Sequence, residues 1–144
     1  MARLITEGIK EMEDRLKNLE KSLQARIMPE MINAGADALI ESWKDTIQEK
    51  GHVRTGAMLE SVGKTAPMMS VDGIDIDVYP QGTDSHRITN AQKAFIIHYG
   101  REANRNGKKK ITGDKFVTLA ENRAREKVNA AMQAVLDKYV SGKD

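Results

Sequence analysis

The side chains that could do chemistry in this chain are few and widely separated. Gly63-Lys64-Thr65 has the residue types that end a phosphate-binding loop, where backbone N–H groups and a lysine hold phosphate oxygens. That loop also needs a glycine five residues earlier, where Met58 stands, and it must follow a buried strand and open a helix. Because helix-forming residues precede Gly63 instead, the pattern disfavours nucleotide binding.

No set of residues has the spacing of a metal site or a catalytic centre. His52, His86 and His98 stand far apart, whereas two ligands on one helix face lie three or four residues apart. Asp75 and Asp77 share a face of a predicted strand and could bind a cation, although charged side chains commonly guard a solvated strand edge against aggregation. The chain has no cysteine, which excludes a disulfide framework and a thiolate metal site. We therefore expect no enzyme activity, no bound metal and no cofactor.

The most unusual feature is a cationic segment at residues 101–110. It has one anion, Glu102, against five cations: Arg101, Arg105, Lys108, Lys109 and Lys110. Such a loop is a good electrostatic contact for an acidic protein surface or a phosphate backbone, because several cations act together. It contains no aromatic residue that could stack on bases, which disfavours a reader of single-stranded nucleic acid. We predict that this loop is an assembly contact.

Apolar segments on both sides of the loop are expected to fix its ends. Phe95-Ile96-Ile97 is the densest apolar run and is soon followed by Tyr99-Gly100, while Phe116 opens the last helix. Because Phe95 and Phe116 are the only phenylalanines, both are expected to bury their rings in one core. Asn90 is expected to cap a short helix that runs through Tyr99, and a strand is the alternative for this segment.

Composition indicates one small domain. The chain has 144 residues, of which 31% are charged, yet its formal net charge is only +2, so the overall balance does not indicate a strong polyanion binder. No apolar run approaches the length of a membrane span, and the N-terminus turns acidic and polar too early for a secretory signal. We expect a soluble intracellular protein, or one assembled inside a cell, with no membrane partner.

The front of the chain carries a heptad pattern. Its apolar residues recur at spacings of four and three: Ile5, Ile9, Met12, Leu16, Leu19 and Leu23. We predict a helix from about Leu4 to Ile27, whose narrow seam packs on a long helix of the same chain or of a neighbouring subunit. The expected organisation is a single domain over residues 1–144, with this helix at 1–27, a core at 28–140 and a frayed tail at 141–144.

Two further long helices are predicted around the core. Pro29 suits the first turn of the second helix, which should end at Gly51, and Asp114 should cap the last helix. Trp43 is expected to be a core anchor, because tryptophans usually bury most of their surface. The apolar stripes are Ile32, Ala36, Leu39, Trp43 and Ile47 in the second helix, and Val117, Ala120, Ala124, Val128, Ala131, Val135 and Tyr139 in the last.

Between these helices the pattern is typical of a small antiparallel sheet. Thr55 can cap one helical turn that carries Met58 and Leu59, and the alternating residues after it read as an edge strand because they include Pro67. Asp72-Gly73 signals a hairpin turn. The residues of the following strand alternate between two faces. Ile74, Ile76 and Val78 form the apolar face, and Asp75, Asp77 and Tyr79 form the solvent-facing one. The predicted fold class is α+β, with long N-terminal and C-terminal helices packed on a small antiparallel β-sheet.

Three segments, in this order, carry a family resemblance. Arg54–Val62 has a threonine-glycine turn followed by leucine and serine, and Ala94–Gly100 is an apolar block that ends in aromatic-glycine. In the third segment, Phe116–Ala120, a phenylalanine opens the closing helix. In these features the chain resembles the tail-completion or neck proteins of long-tailed bacteriophages, small α+β proteins of the head–tail junction also known as minor tail or head–tail joining proteins.

The resemblance implies a non-enzymatic structural protein of the virion. It implies a subunit of a homo-oligomeric ring, expected to be hexameric, that joins the head connector or stopper to the tail terminator or tail tube. DNA would pass through the lumen of that ring and could make non-specific contact with it. Assembly would take place in the host cytoplasm.

A nucleic-acid-binding regulatory protein that uses the loop at residues 101–110 is the alternative function. No recognition-helix pattern accompanies the loop, and the cluster of cations is confined to it. The virion structural protein is therefore the favoured hypothesis.

Overall fold

The computed structural model describes residues 2–4, 21–53, 56–70, 73–103 and 105–140. Long helices toward both ends of the chain flank a small antiparallel sheet, so the predicted α+β class is confirmed. In chain order the elements are β1 (Ala2–Leu4), α1 (Lys21–Glu49), α2 (Ala57–Ser61), β2 (Val62–Lys64), β3 (Met68–Ser70), β4 (Gly73–Pro80), α3 (Asn90–Tyr99), β5 (Gly100–Arg101), β6 (Ile111–Thr112) and α4 (Phe116–Val140).

Helices α1 and α4 lie side by side and run in opposite directions. Near the end of α1, the Glu49 carboxylate accepts a hydrogen bond of 2.9 Å from Arg123, which stands early in α4. In the first half of α1, the Glu30 carboxylate accepts a hydrogen bond from the hydroxyl of Tyr139, close to the end of α4. The two helices therefore form an antiparallel pair, of which α1 packs against β1, β2 and β4 of the sheet.

The core lies between these helices and one face of the sheet. Every residue of the predicted α1 stripe is buried, with Trp43 at its centre. The expected burial of Trp43, Ile76, Phe116 and Val128 is likewise confirmed. The predicted α4 stripe is confirmed only for Ala120, Ala124 and Val128. The buried residues of α4 follow a row with a strict spacing of four, which leaves the other members of the stripe half-buried: Val117, Ala131, Val135 and Tyr139. The buried residues of α4 are Phe116, Ala120, Ala124, Val128, Met132 and Leu136.

Strand β4 is the centre of the sheet. β1 pairs with one of its edges, β2 pairs with the other, and β3 continues the β2 pairing farther along β4, all antiparallel. Ser70 is opposite Gly73, which confirms the predicted hairpin. The alternation of β4 is confirmed as well, because Ile74, Ile76 and Val78 are buried and the residues between them are only half-buried.

The helix boundaries predicted for the front of the chain are wrong. Leu4 lies in β1, and α1 continues through Pro29, where a second helix was expected to open. A proline inside a helix removes one backbone hydrogen bond and costs about 3 kcal/mol. The helix stays continuous because Ile27, Met31 and Ile32, on both sides of the proline, are all buried in the core.

Other predictions for the front and end of the chain lie outside the described residues. They are the seam residues Ile5, Ile9, Met12, Leu16 and Leu19, the capping role of Thr55, and the tail at 141–144. Leu23, the last seam residue, belongs to α1. The short helix expected at Met58 and Leu59 is confirmed as α2, which Gly56 precedes with a left-handed φ of 75°.

Asp84 organises the loop 81–89 between β4 and α3. Its carboxylate accepts backbone hydrogen bonds from His86 at 2.8 Å and Ile88 at 3.0 Å, and it forms an ion pair with Lys93 at 2.6 Å. The hydrogen bond from the Lys93 ammonium and those from the backbone lower the pKa of Asp84 to about 2. The loop 81–89 therefore has a defined, charge-stabilised shape.

We expect Asp84→Asn to destabilise the protein at neutral pH and to have little effect near pH 2. The folded-state pKa is depressed below the unfolded value of about 3.9, so the carboxylate stabilises the fold fully above that value and loses its contribution as the pH falls through about 2. Urea unfolding of both proteins over a pH series measures the difference. Glu102→Gln, an exposed carboxylate on another loop, is the control. A difference for Asp84→Asn that is the same at every pH would contradict this role.

Candidate assembly surface

Helix α3 ends where the cationic segment begins. The Thr89 hydroxyl accepts a backbone hydrogen bond from the first turn of α3. Thr89 is therefore the cap, one position before the expected cap Asn90, and Asn90 is the first helical residue. At the other end, Gly100 has a φ of 81° and its N–H donates to the Ile96 carbonyl. Ala94–Tyr99 is therefore helix, and the strand alternative is excluded.

The cationic segment is the connection of a two-stranded hairpin, residues 100–113, which we call the basic hairpin. Strands β5 and β6 pair with Gly100 opposite Thr112. A Cβ on Gly100 would lie 2.6 Å from the backbone nitrogen of Gly113, and a Cβ on Gly113 would lie 2.7 Å from the Tyr99 carbonyl oxygen. Because those neighbours are backbone atoms, no side chain fits at either glycine, and the backbones are in contact at the base of the hairpin.

Asp114 fastens the basic hairpin to the core. Its Oδ1 accepts a hydrogen bond of 3.0 Å from the N–H of Phe116, the first residue of α4, so Asp114 holds the start of the helix from one position before the cap residue Lys115. Its Oδ2 lies 2.6 Å from Nε2 of His52. Its own backbone N–H donates to the Ile97 carbonyl at 3.1 Å. The buried Phe116 ring packs edge-on against Trp43, with centroids 5.7 Å apart. The base of the hairpin is therefore held by both α3 and α4.

All five predicted cations lie on this hairpin and none is buried. Arg101 is in β5, half-buried, and its Nε donates to the Lys109 carbonyl at 3.3 Å. The other four stand in the connection, where residues 105–110 are all exposed. Lys110 lies 3.8 Å from Glu102, but both side chains are largely exposed, and such pairs contribute little to stability. The hairpin thus presents concentrated positive charge to solvent.

The expected burial of Phe95 is wrong. Its side chain is 56% exposed and that of Tyr99 is 54% exposed, and the two rings lean on each other with centroids 4.7 Å apart. The reason lies in the phase of α3, whose buried residues stand four apart: Asn90, Ala94 and His98. Phe95 comes one position after this row and so lies on the outer surface of the helix.

A cleft of about 210 Å³ opens between α3 and α4, beside these exposed rings. We call it the aromatic cleft, and its lining includes Trp43, Phe95, His98, Tyr99, Val117 and Glu121. The Lys115 ammonium lies 4.4 Å from the centroid of the Tyr99 ring, a cation–π distance. Glu121 is exposed at the cleft rim, yet the surrounding groups partly desolvate its carboxyl and raise its pKa. The cleft therefore combines an apolar wall with a charged rim.

His98 is a packed, neutral imidazole. Its Nδ1 accepts a hydrogen bond of 3.2 Å from the Val117 N–H, which requires that nitrogen to be unprotonated. Burial, and next the charge of Lys115, lower the pKa of His98. Its ring also contacts Phe116 edge-on, with centroids 6.2 Å apart. The residue thus joins α3 to α4 and has a structural part in the cleft.

The described part of the chain offers little for other kinds of site. Across residues 2–4, 21–53, 56–70, 73–103 and 105–140, no three His, Asp or Glu side chains form a group that could hold a metal ion. Among the helices described there, none is long and apolar enough to cross a membrane.

The aromatic cleft was not predicted from the sequence, although the spacing of its two exposed rings is a signal for it. Phe95 and Tyr99 are four residues apart, a spacing that stacks two rings on one helix face, whereas Ala94 and His98 occupy the neighbouring face at the same spacing.

The chain matches no family model, and neither curated proteins nor solved structures give a similar protein. A function for the chain therefore has to be inferred from the basic hairpin, the aromatic cleft and the three family-like segments.

Proposed function

We propose that this chain is a structural subunit of the neck of a long-tailed phage, where a ring of copies joins the head connector to the tail. The observation that carries the proposal is the basic hairpin, an exposed cationic loop whose base is fixed against two helices. A contact whose position is set before docking loses less freedom when it binds, which favours assembly. The loop at residues 101–110 is then the assembly contact.

The family-like segments support the same proposal by their position. Ala94–Gly100 forms most of α3 and enters the basic hairpin, while Phe116–Ala120 opens α4 directly after it. Both segments also line the aromatic cleft. Two of the three segments on which the resemblance to neck proteins rests therefore flank the surface that is proposed to make the contact.

A nucleic-acid-binding protein is the second candidate, and the same cations favour it. Several exposed Lys and Arg residues together can neutralise phosphates without reading sequence. In the neck, such contacts would involve DNA that passes through the ring. An assembly role is preferred because the hairpin carries one compact cationic loop, whereas nucleic-acid binders spread positive charge along a face or a groove.

Replacing the five cations of the loop with serine should reduce docking to the connector or the tail and leave folding intact. The variant changes Arg101, Arg105, Lys108, Lys109 and Lys110 together, because exposed charge pairs are individually weak. Surface substitutions of this kind shift stability by about 0.5 kcal/mol or less each, so the melting temperature should stay close to that of the wild type. The measurement is in vitro joining of heads and tails that lack this protein, complemented with either form.

Two controls make this assay specific. Changing three exposed residues to glutamine, Lys50 just after α1 and Arg125 and Lys127 in α4, removes positive charge elsewhere and should leave joining unchanged. Raising the salt concentration should weaken docking of the wild type, because exposed charges are screened. Full complementation by the five-serine protein at every salt concentration would remove the loop from the mechanism. Salt-dependent binding to duplex DNA, without any joining activity, would favour the second candidate.

A further inference from the structure

The tip of the β3–β4 hairpin carries two exposed methionines. Met68 and Met69 are 62% and 80% exposed, although consecutive strand residues face opposite sides of a sheet. Neither face of β3 is therefore covered at this point. Methionine is an adaptable apolar side chain that is over-used at binding surfaces and makes favourable sulfur–aromatic contacts. We call this pair the methionine tip.

The methionine tip and the aromatic cleft lie at opposite ends of the sheet. The eight residues of β4 begin at Gly73, next to the tip, and span roughly 25 Å at about 3.3 Å per residue. Beyond the far end of β4, the Asn90 side chain donates to the Gln81 carbonyl at 2.9 Å, so α3 and its cleft stand at that far end. The tip of one molecule therefore cannot fill the cleft of the same molecule.

The two surfaces are complementary in size and chemistry. A cleft of about 210 Å³ is smaller than the roughly 300–1,000 Å³ of typical small-molecule sites, and it suits a side chain or two. Its rings at Phe95 and Tyr99 are suitable partners for a methionine sulfur.

The surfaces are also complementary in charge. Asp75, which is opposite Met68 in the strand register, puts negative charge beside the tip. Lys115 and the basic hairpin put positive charge beside the cleft, where Glu121 is the one carboxylate among the described residues of the lining. Two copies placed tip to cleft would therefore attract each other at the rim of the contact.

We propose that the methionine tip of one copy inserts into the aromatic cleft of a second copy. Because each subunit offers one tip and one different cleft, the interface is heterologous, and it repeats from copy to copy until the rotation closes a ring. This contact would be the subunit interface of the proposed ring, and in that respect the inference rests on the proposed function. Self-association itself can be measured on the isolated protein.

Sedimentation velocity of the purified chain tests this interface. The double substitution Met68→Asp and Met69→Asp should weaken self-association by about 30-fold or more, the loss expected for an interface hot spot. Phe95→Asp should do the same from the cleft side. The matched control, Met68→Leu with Met69→Leu, keeps the apolar tip and should retain association within about threefold. Circular dichroism verifies folding, and Tyr99→Ser replaces Phe95→Asp if that variant unfolds.

Mixing the two defective variants separates this interface from every symmetric one. The tip variant keeps an intact cleft and the cleft variant keeps an intact tip, so an equimolar mixture should form heterodimers and nothing larger. Wild-type association of the tip variant, absence of the heterodimer, or a wild-type protein that stays monomeric at the highest attainable concentration would each overturn the interface.

The head–tail joining assay distinguishes failure of this interface from failure of the proposed function. Self-association through tip and cleft, combined with no joining activity of the wild type, would refute the neck function and leave the interface standing. Normal joining by the Met68→Asp and Met69→Asp protein, together with wild-type self-association, would refute the interface and leave the neck function standing.

Discussion

Phe116→Ala is expected to lower the free energy of unfolding by about 3–5 kcal/mol, the usual cost of removing a fully enclosed aromatic ring. The Phe116 side chain is completely buried. Its ring packs edge-on against Trp43 and against His52, with centroids 5.7 Å and 5.4 Å apart. The substitution would leave a cavity where α1, α3 and α4 meet, and urea unfolding followed by circular dichroism measures the loss.

The chain supplies a matched control for this substitution, because its only other phenylalanine is exposed. Phe95→Ala removes the same ring from a side chain that is 56% exposed, and it should cost no more than about 1 kcal/mol. Equal losses for the two variants, or a loss below about 1 kcal/mol for Phe116→Ala, would show that the segment opening α4 is not part of the core.

Gly100→Ala is expected to cost about 3 kcal/mol and to loosen the basic hairpin. Gly100 has a φ of 81°, which strains any residue with a Cβ, and its Cβ would lie 2.6 Å from the backbone nitrogen of Gly113. Because that neighbour is backbone, the clash can be relieved only by separating β5 from β6. Urea unfolding measures the global loss, and hydrogen exchange of the hairpin amides measures the local one.

Comparison with Gly107→Ala separates the cost of the Gly100 clash from the cost of backbone strain. Gly107 also has a left-handed φ, 79°, and lies in the same hairpin, but a Cβ there would meet no atom within 4 Å. Its cost should be limited to the left-handed penalty of about 1–2 kcal/mol. If the two alanine variants are equally stable and exchange amide hydrogens equally fast, the glycine contact at the hairpin base does not hold the hairpin together.

Sequence periodicity located most of the core, because in long elements the spacing of apolar residues reports directly which face is buried. The α1 stripe from Ile32 to Ile47 and the alternation of β4 were both predicted in this way. For the short helix α3, apolar spacing predicted the wrong buried face. Three consecutive apolar residues in a ten-residue helix fit more than one face, and the row that contains His98 was the one buried.

Pro29 and the methionine tip show two other limits of predicting structure from local sequence. Proline is a strong local signal for a helix start, yet the burial of Ile27 and Met31 on either side outweighs its local cost, and burial depends on the whole fold. Whether Met68 and Met69 are exposed depends on how far the sheet extends past the helices. No local pattern encodes that distance. The basic loop was located correctly because charge is visible in the sequence, while the ring and its partners stay predictions.

The glycine contact at the base of the basic hairpin has a consequence for how this protein can evolve. Only backbone atoms meet at these two glycines. The exposed residues 105–110 beyond them take no part in the hydrophobic core. Lengthening such a loop is inexpensive, at about 0.6 kcal/mol for each doubling of its length. Insertions, deletions and changes of charge can therefore accumulate in the loop with little effect on the stability of the fold. Selection for a new partner surface can then act on the loop while the helices and the sheet keep their sequence.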